Sequence, residues 1–210
     1  MRVVVFGATG GLGSESVEKA LAAGHRVTAF VRNPDKLRLR NAELNVVKGD
    51  VLDGAAVASV IRDHDAVLSA LGPAAKTPAG TLISTGTGNI LAGMKSAKVR
   101  RFVFASGLMV GKAAGMNFLK RQMIGFFRAM NHDLYVDKVR AEALVRESGL
   151  DYIIVRPPVL AQVPSRGTYR VGPDLDVHLM DKFAFADAAD YMVRGLSEDA
   201  FLQAAVELSY

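Results

Sequence analysis

The chain has no cysteine. That excludes disulfides, thiolate metal sites and cysteine nucleophiles together, and it fits a reducing compartment. No apolar run approaches the roughly 20 residues of a membrane-spanning helix. There is no internal repeat, no low-complexity tract and no linker. The opening stretch MRVVVFGATG turns glycine-rich too soon for a secretory signal, so the cytoplasm is the expected compartment. The four histidines, His25, His64, His132 and His178, show neither H-x-x-x-H nor H-E-x-x-H spacing, so no metal is expected. Strong charge of either sign is also missing. Lys and Arg total 26 against 21 Asp and Glu, a net +5. That modest excess suits one anion-binding pocket on an ordinary surface, with no nucleic-acid or membrane partner expected.

What is present is a packed globular composition. Half of the 210 residues are hydrophobic and 22% are charged, which excludes a disordered chain and suits one domain over residues 1–210. Short β-branched runs alternate with longer helical stretches. Strands are predicted at 2–6, 26–31, 44–48, 66–70, 101–105 and 151–155. Helices are predicted at 12–23, at 82–97 and through a long region ending at Ser148-Gly149. Strands alternating with helices imply right-handed crossovers and a doubly wound parallel α/β sheet. After Pro157-Pro158 the signal weakens to a short strand at 167–171, a helix at 185–196 and a last strand at 205–208. This C-terminal segment is too short for an independent substrate domain. It is expected to complete the sheet and close one edge of the pocket.

Directly after the first strand comes Gly7-Ala8-Thr9-Gly10-Gly11-Leu12-Gly13, opening straight into a helix. A tight strand-to-helix turn needs residues without Cβ, and a bare backbone lets a pyrophosphate approach the helix N-terminus. Gly7, Thr9, Gly10, Gly11, Leu12 and Gly13 are therefore dinucleotide-binding candidates. At the end of the second strand Arg32 stands where an NAD-preferring site offers a carboxylate, with Lys36 one turn on. A guanidinium there suits a 2′-phosphate, which points to NADP(H). Asp50 either accepts from the adenine amino group or serves as a turn or cap residue, and Val51 covers the ring. Leu71 and Gly72 end the fourth strand, where small residues let the backbone lie close to the ribose. The aspartates Asp187 and Asp190 read as helix-start residues, not as a catalytic pair.

Five motifs, FGATGGLG at 6–13, VRNPDKL at 31–37, KGDVLD at 48–53, FVFASG at 102–107 and RESGLDYIIVRPP at 146–158, span most of the chain. Together they resemble the atypical short-chain dehydrogenase/reductase superfamily in its NAD(P)H-binding, NmrA-like branch. The resemblance implies a Rossmann-type fold. It also implies an NADPH-dependent reductase acting on a flavin, a linear tetrapyrrole or a quinone-like acceptor. Other members bind NADP(H) as non-catalytic redox sensors, which is the alternative. By resemblance Ser106 matches the active-site serine or threonine, and Lys138 the lysine of a Tyr-x-x-x-Lys pair. The tyrosine position holds Leu134, with Tyr135 one residue late. Pro158 and Val159 follow the sixth strand on the cofactor side, and Val159 replaces a histidine of the flavin-reducing relatives. With few acids, the acceptor is expected to need hydride and to draw its proton from solvent, as conjugated rings do.

The segment Phe118–Met130 is apolar, methionine-rich and basic. It reads as a helix packed on the sheet or a lid over a planar substrate, with a dimer surface and a membrane-surface helix as the other readings. The choice between monomer and homodimer stays open.

Overall fold

The computed structural model describes residues 1–73 and 80–210. Parallel pairing organises it. The strands β1 (Arg2–Phe6), β2 (Arg26–Val31), β3 (Leu44–Lys48), β4 (Ala66–Ser69), β5 (Arg101–Ala105) and β6 (Asp151–Arg156) all run in one direction. A short parallel pair, β7 (Leu160–Ala161) and β9 (Phe183–Ala184), stands apart from the main sheet. The C-terminal segment adds β10 (Ala204–Ser209) parallel to β6, and then β8 (Arg170–Gly172) antiparallel to β10. The main sheet order is β3-β2-β1-β4-β5-β6-β10-β8. This is the doubly wound, Rossmann-type order, with its reversal between β1 and β4.

Side chains alternate across the sheet. Val3, Val5, Leu68, Val103, Ile153 and Val206 point to one face, toward α1 (Gly11–Ala22) and α6 (Phe185–Arg194). Val4, Phe6, Val67, Phe102, Phe104 and Ile154 point to the other. That face is covered by α2 (Gly54–Ile61), α3 (Leu82–Ala97) and α5 (His132–Glu147). Burial on both faces is why the strands read as unbroken apolar runs. The long helical region anticipated before Ser148 is two helices, because Asn131 separates α4 (Phe118–Met130) from α5. The short strand expected at 167–171 is shifted to Arg170–Gly172, where it meets β10.

Buried charges tie the elements around the carboxyl edge. The Asp137 carboxylate on α5 accepts the N–H groups of Ile83 and Ser84, both at 2.8 Å, and so caps α3 from 53 and 54 residues away. Glu142 on α5 accepts two bonds from Arg156 at the end of β6, at 2.9 and 2.7 Å, and one from Arg146 at 2.9 Å. Asp187, in the first turn of α6, accepts from Ser165, Arg166, Gly167 and the Tyr210 hydroxyl. It thereby fastens the chain's end to the loop before β8.

The forked Arg156–Glu142 pair is nearly dry, and Arg146 reaches only one carboxylate oxygen from a more exposed position. Removing one partner of a buried pair costs more than the pair contributes, because a charge is left without its partner. Arg156→Met should therefore lower unfolding stability by about 3 kcal/mol. The measurement is a urea melt, in which the midpoint falls at an unchanged m value. A change below about 0.5 kcal/mol would show that water already reaches Glu142.

Candidate active site

The turn after β1 is shaped by close backbone approach. Gly7 has φ +79°, and a Cβ there would lie 2.5 Å from the Ala70 carbonyl oxygen. A Cβ on Gly13 would lie 2.1 Å from the Gly7 carbonyl oxygen. Both glycines are demanded by the protein's own packing. Gly10 is different. Its φ and ψ are −82° and 164°, and an added Cβ would meet only the Gly7 oxygen, at 3.4 Å. Among the described residues nothing requires a glycine there, and its bare backbone faces the space above the turn. Helix α1 begins at Gly11 with no side-chain cap and no acidic residue in its first turn. Its leading N–H groups and positive dipole end are left for an anion.

A cleft of about 790 Å³ opens over this turn. It is lined by 6–12 of the glycine loop, by Arg32 and Lys36 after β2, by Val51 after β3, and by Leu71 and Gly72 after β4. Thr9, Gly10, Gly11 and Leu12 thus share one wall, and Gly13 sits beneath it against Gly7. Arg32 and Lys36 are exposed, and among the described residues neither forms an ion pair. Asp50 lies beside the cleft with one carboxylate oxygen on the Leu52 N–H at 3.0 Å, a turn role. The cap of α2 is Asp53, which accepts from Ala55 and Ala56. The bare Gly10, the uncapped helix and the two cations fit the phosphates of a dinucleotide.

A second pocket, of about 270 Å³, lies over the ends of β5 and β6. Its wall is mostly apolar, from Leu108, Met109, Ile124, Phe127, Pro157 and Leu179, with Ser106 and Lys138 the polar exceptions. Pro158 and Val159, expected on the cofactor side, line this pocket and not the cleft. Leu160 lines both cavities and marks their junction. The Ser106 hydroxyl is buried without a hydrogen-bond partner among the described residues. Ser69 and Thr87 also carry orphan hydroxyls, but neither lines the cleft or the pocket. The Lys138 ammonium donates to the Ser106 carbonyl at 2.5 Å. Burial lowers its pKa to about 8, with Glu142 and Asp137 pulling the other way.

Leu134, at the family's tyrosine position, lines the cleft. Tyr135 lines neither cavity, and its ring lies under the Arg128 guanidinium at 5.3 Å. Sequence reasoning did not single out Leu160, Phe185 or Asp137. Leu160 and Phe185 enter the cleft from the C-terminal segment. No local signal marks them, because ordinary apolar residues become site residues only through tertiary placement. Asp137, immediately before Lys138, was legible only as an acid on a helix.

Comparison with known proteins bears on this geometry. A family model described as NAD(P)H-binding matches residues 7–199. An uncharacterized chloroplastic protein of Arabidopsis thaliana is 32% identical over 181 residues, covering 82% of this chain and 64% of that protein. The chain spans less than two thirds of the length of the curated relatives it matches. An anaerobillin reductase of Escherichia coli O157:H7 superposes with TM-score 0.80 at 22% identity, over 100% of this chain and 97% of that one. A short-chain dehydrogenase/reductase of Veillonella parvula, solved in complex with NADP, gives TM-score 0.78 at 13% identity, over 100% and 94%. At these identities both structures speak to the fold.

The glycines separate packing from binding. Gly13→Ala should destabilise the fold, because its methyl group would press into backbone. Gly10→Ala should leave the melting temperature nearly unchanged and weaken dinucleotide binding tenfold or more, about 1.4 kcal/mol. Titration of cofactor fluorescence alongside a thermal melt checks both. Equal loss of stability in the two variants would place Gly10 among the packing residues.

Proposed function

The chain belongs to the NAD(P)H-binding family, and from that membership we propose that it is an NADPH-dependent reductase of conjugated ring acceptors such as flavins, linear tetrapyrroles or quinones. The observation that supports this most is the junction at Leu160. There an anion-ready cleft meets an apolar pocket that holds one unpartnered hydroxyl and one buried ammonium.

Arg32 and Lys36 would take the 2′-phosphate, the α1 N-terminus the pyrophosphate, and Val51 the adenine face. NADPH, when bound, supplies a hydride. The chain's own residues do the rest. Leu108, Ile124, Phe127 and Pro158 exclude water and hold a flat ring by packing, so the main contribution is proximity. The Ser106 hydroxyl, without a partner among the described residues, donates to an acceptor heteroatom. An acceptor that gains a hydride gains negative charge, which the Lys138 ammonium opposes at short range in a dry pocket. With a pKa of about 8 its Nζ can also hand over a proton at neutral pH. Leu134 supplies no phenol, which sets this pocket apart from alcohol and ketone chemistry. The chromophore named for the Escherichia coli neighbour is a further pointer to the tetrapyrrole class.

NADPH oxidation with FMN, riboflavin, biliverdin and quinones as acceptors tests the reading. Turnover with at least one of them is expected. No turnover with any, alongside tight binding of the oxidised cofactor, would return the redox-sensor alternative. Arg32→Ala should weaken NADPH by about 1.5–3 kcal/mol, the range of a charge-assisted hydrogen bond, and leave NADH unchanged. Equal losses for both cofactors would remove the 2′-phosphate contact.

The ammonium is present below pH 8 and lost as pH rises through that value, so turnover should fall across this window. Lys138→Arg, which stays charged, should abolish the fall. A profile flat from pH 7 to 9 in the unaltered protein would detach Lys138 from the chemistry. Ser106→Ala should slow turnover several-fold with little change in NADPH affinity, as suits loss of a neutral hydrogen bond of about 0.5–1.5 kcal/mol.

A further inference from the structure

Helix α4 is amphipathic in the wrong direction. A surface helix normally turns its apolar stripe to the core. Here Phe118, Leu119, Phe126 and Met130 are 75%, 69%, 65% and 66% exposed, and Ile124 is the buried residue of the helix. The cations point inward. Lys120 meets Asp176 at 2.6 Å, Arg121 donates to the Met116 carbonyl, and Arg128 donates to the carbonyls of Met109 and Gly111. With 3.6 residues per turn, Phe118, Gln122, Phe126 and Met130 form one stripe, while Lys120, Ile124 and Arg128 lie opposite. Of the two readings favoured from the sequence, packing of the apolar face on the sheet does not occur among the described residues, whereas a position over the smaller pocket does, through Ile124 and Phe127. Among the described residues nothing covers this face.

The exposed apolar surface continues across the pocket rim, where Phe127 and Val159 line the pocket and Met180 follows Leu179. Together these side chains expose roughly 800 Å², counting ~150–250 Å² for a whole aromatic side chain. That is about what one partner gives to a standard interface, and more than the ~300–600 Å² patch of an ordinary monomer.

We propose that this face is the contact between two copies of the chain, with α4 packed antiparallel on α4 about a two-fold axis at Gln122. The area matches, and the pattern is self-complementary, as a two-fold contact must be. Gln122 lies midway between Phe118 and Phe126, so antiparallel packing sets Phe118 of one copy against Phe126 of the other. Gln122 then meets itself, and a primary amide both donates and accepts. A lipid surface is disfavoured by the charges, because a membrane-surface helix needs Lys and Arg free to reach headgroups. On α4 those groups are taken up by Asp176 and by backbone carbonyls. Ile124 and Phe127, on the same helix, wall the smaller pocket. Pairing therefore holds that wall in place, whatever acceptor the pocket takes.

Analytical ultracentrifugation of the whole chain and of Leu119→Glu and Phe126→Lys tests the contact. The unaltered protein should be dimeric at about 10 μM, near −7 kcal/mol. Each variant should dissociate at least ~100-fold more readily at an unchanged melting temperature, since both side chains are exposed in the monomer. Because the chain has no cysteine, Gln122→Cys introduces a single thiol, and mild oxidation should give a disulfide-linked dimer. A monomeric unaltered protein at about 100 μM, dimers that survive both charge variants, or no covalent dimer from the thiol variant would each overturn the proposal. Flotation of monomer with phosphatidylglycerol vesicles would overturn it in favour of a lipid surface.

Discussion

The site rests on one steric constraint, the contact of the Gly7 carbonyl with the backbone of Gly13. That contact lets α1 begin directly over the end of β1, with the Gly7 turn pressed against Ala70 at the end of β4. Any side chain at Gly7 or Gly13 would push the helix off the sheet and move its N-terminus away from the crevice. Parallel pairing supplies the other half of the geometry. Because β1 to β6 run the same way, their carboxyl ends form one edge, and the segments that follow β1 to β6 build most of the cleft and the pocket. The strand order reverses between β1 and β4, and the crevice opens there.

The distribution of charge follows from that edge. Positive charge without an ion-pair partner among the described residues lies along the cleft, at the uncapped α1 terminus and at Arg32 and Lys36. Buried charge is used up inside the protein. Asp137 is spent on two α3 amides, Glu142 on two arginines and Asp187 on four donors. For Asp187, burial alone would raise the pKa, and its hydrogen bonds hold it below the usual value. Against that background the Ser106 hydroxyl stands out as a buried polar group that has no partner among the described residues and also faces a cavity. An orphan of this kind costs stability unless a ligand satisfies it.

Strands were the most legible elements. The predicted bounds of β1, β2, β3 and β5 are those of the structure. For β1, β2 and β5 the reason is that an inner parallel strand is apolar on both faces and turn residues end it sharply; β3 is the largely exposed edge strand, marked by its Val46-Val47 pair and the glycine that follows Lys48. The glycine loop was legible because its spacing reflects a steric requirement within one turn. The orientation of α4 was not. An amphipathic sequence says that a helix has two faces and does not say which one meets the body, and here arginine-to-carbonyl bonds settle the matter. Nor could spacing say that Pro158 and Val159 belong to the smaller pocket, since both cavities lie along the same edge. Asp137 was opaque for a related reason. Its partners are more than fifty residues away, and only folding brings the start of α3 to α5.

The Asp137 cap has a consequence for chemistry. It fixes the start of α3, where Leu82 lines the cleft, to the turn of α5 that carries Leu134 into the cleft and Lys138 into the pocket. In a Tyr-x-x-x-Lys enzyme the corresponding turn presents a phenol whose proton is made available by the lysine. Here the position is occupied by an aliphatic side chain, and Tyr135 is held under Arg128. The lysine is left with a buried ammonium, one bond to the Ser106 carbonyl, and donors to spare. Desolvation brings its pKa down to about 8. On the function proposed above, such a site suits a ring system that spreads the arriving charge over several atoms, with one ammonium and one hydroxyl at its edge, better than a ketone, whose developing alkoxide needs an acid placed at its oxygen.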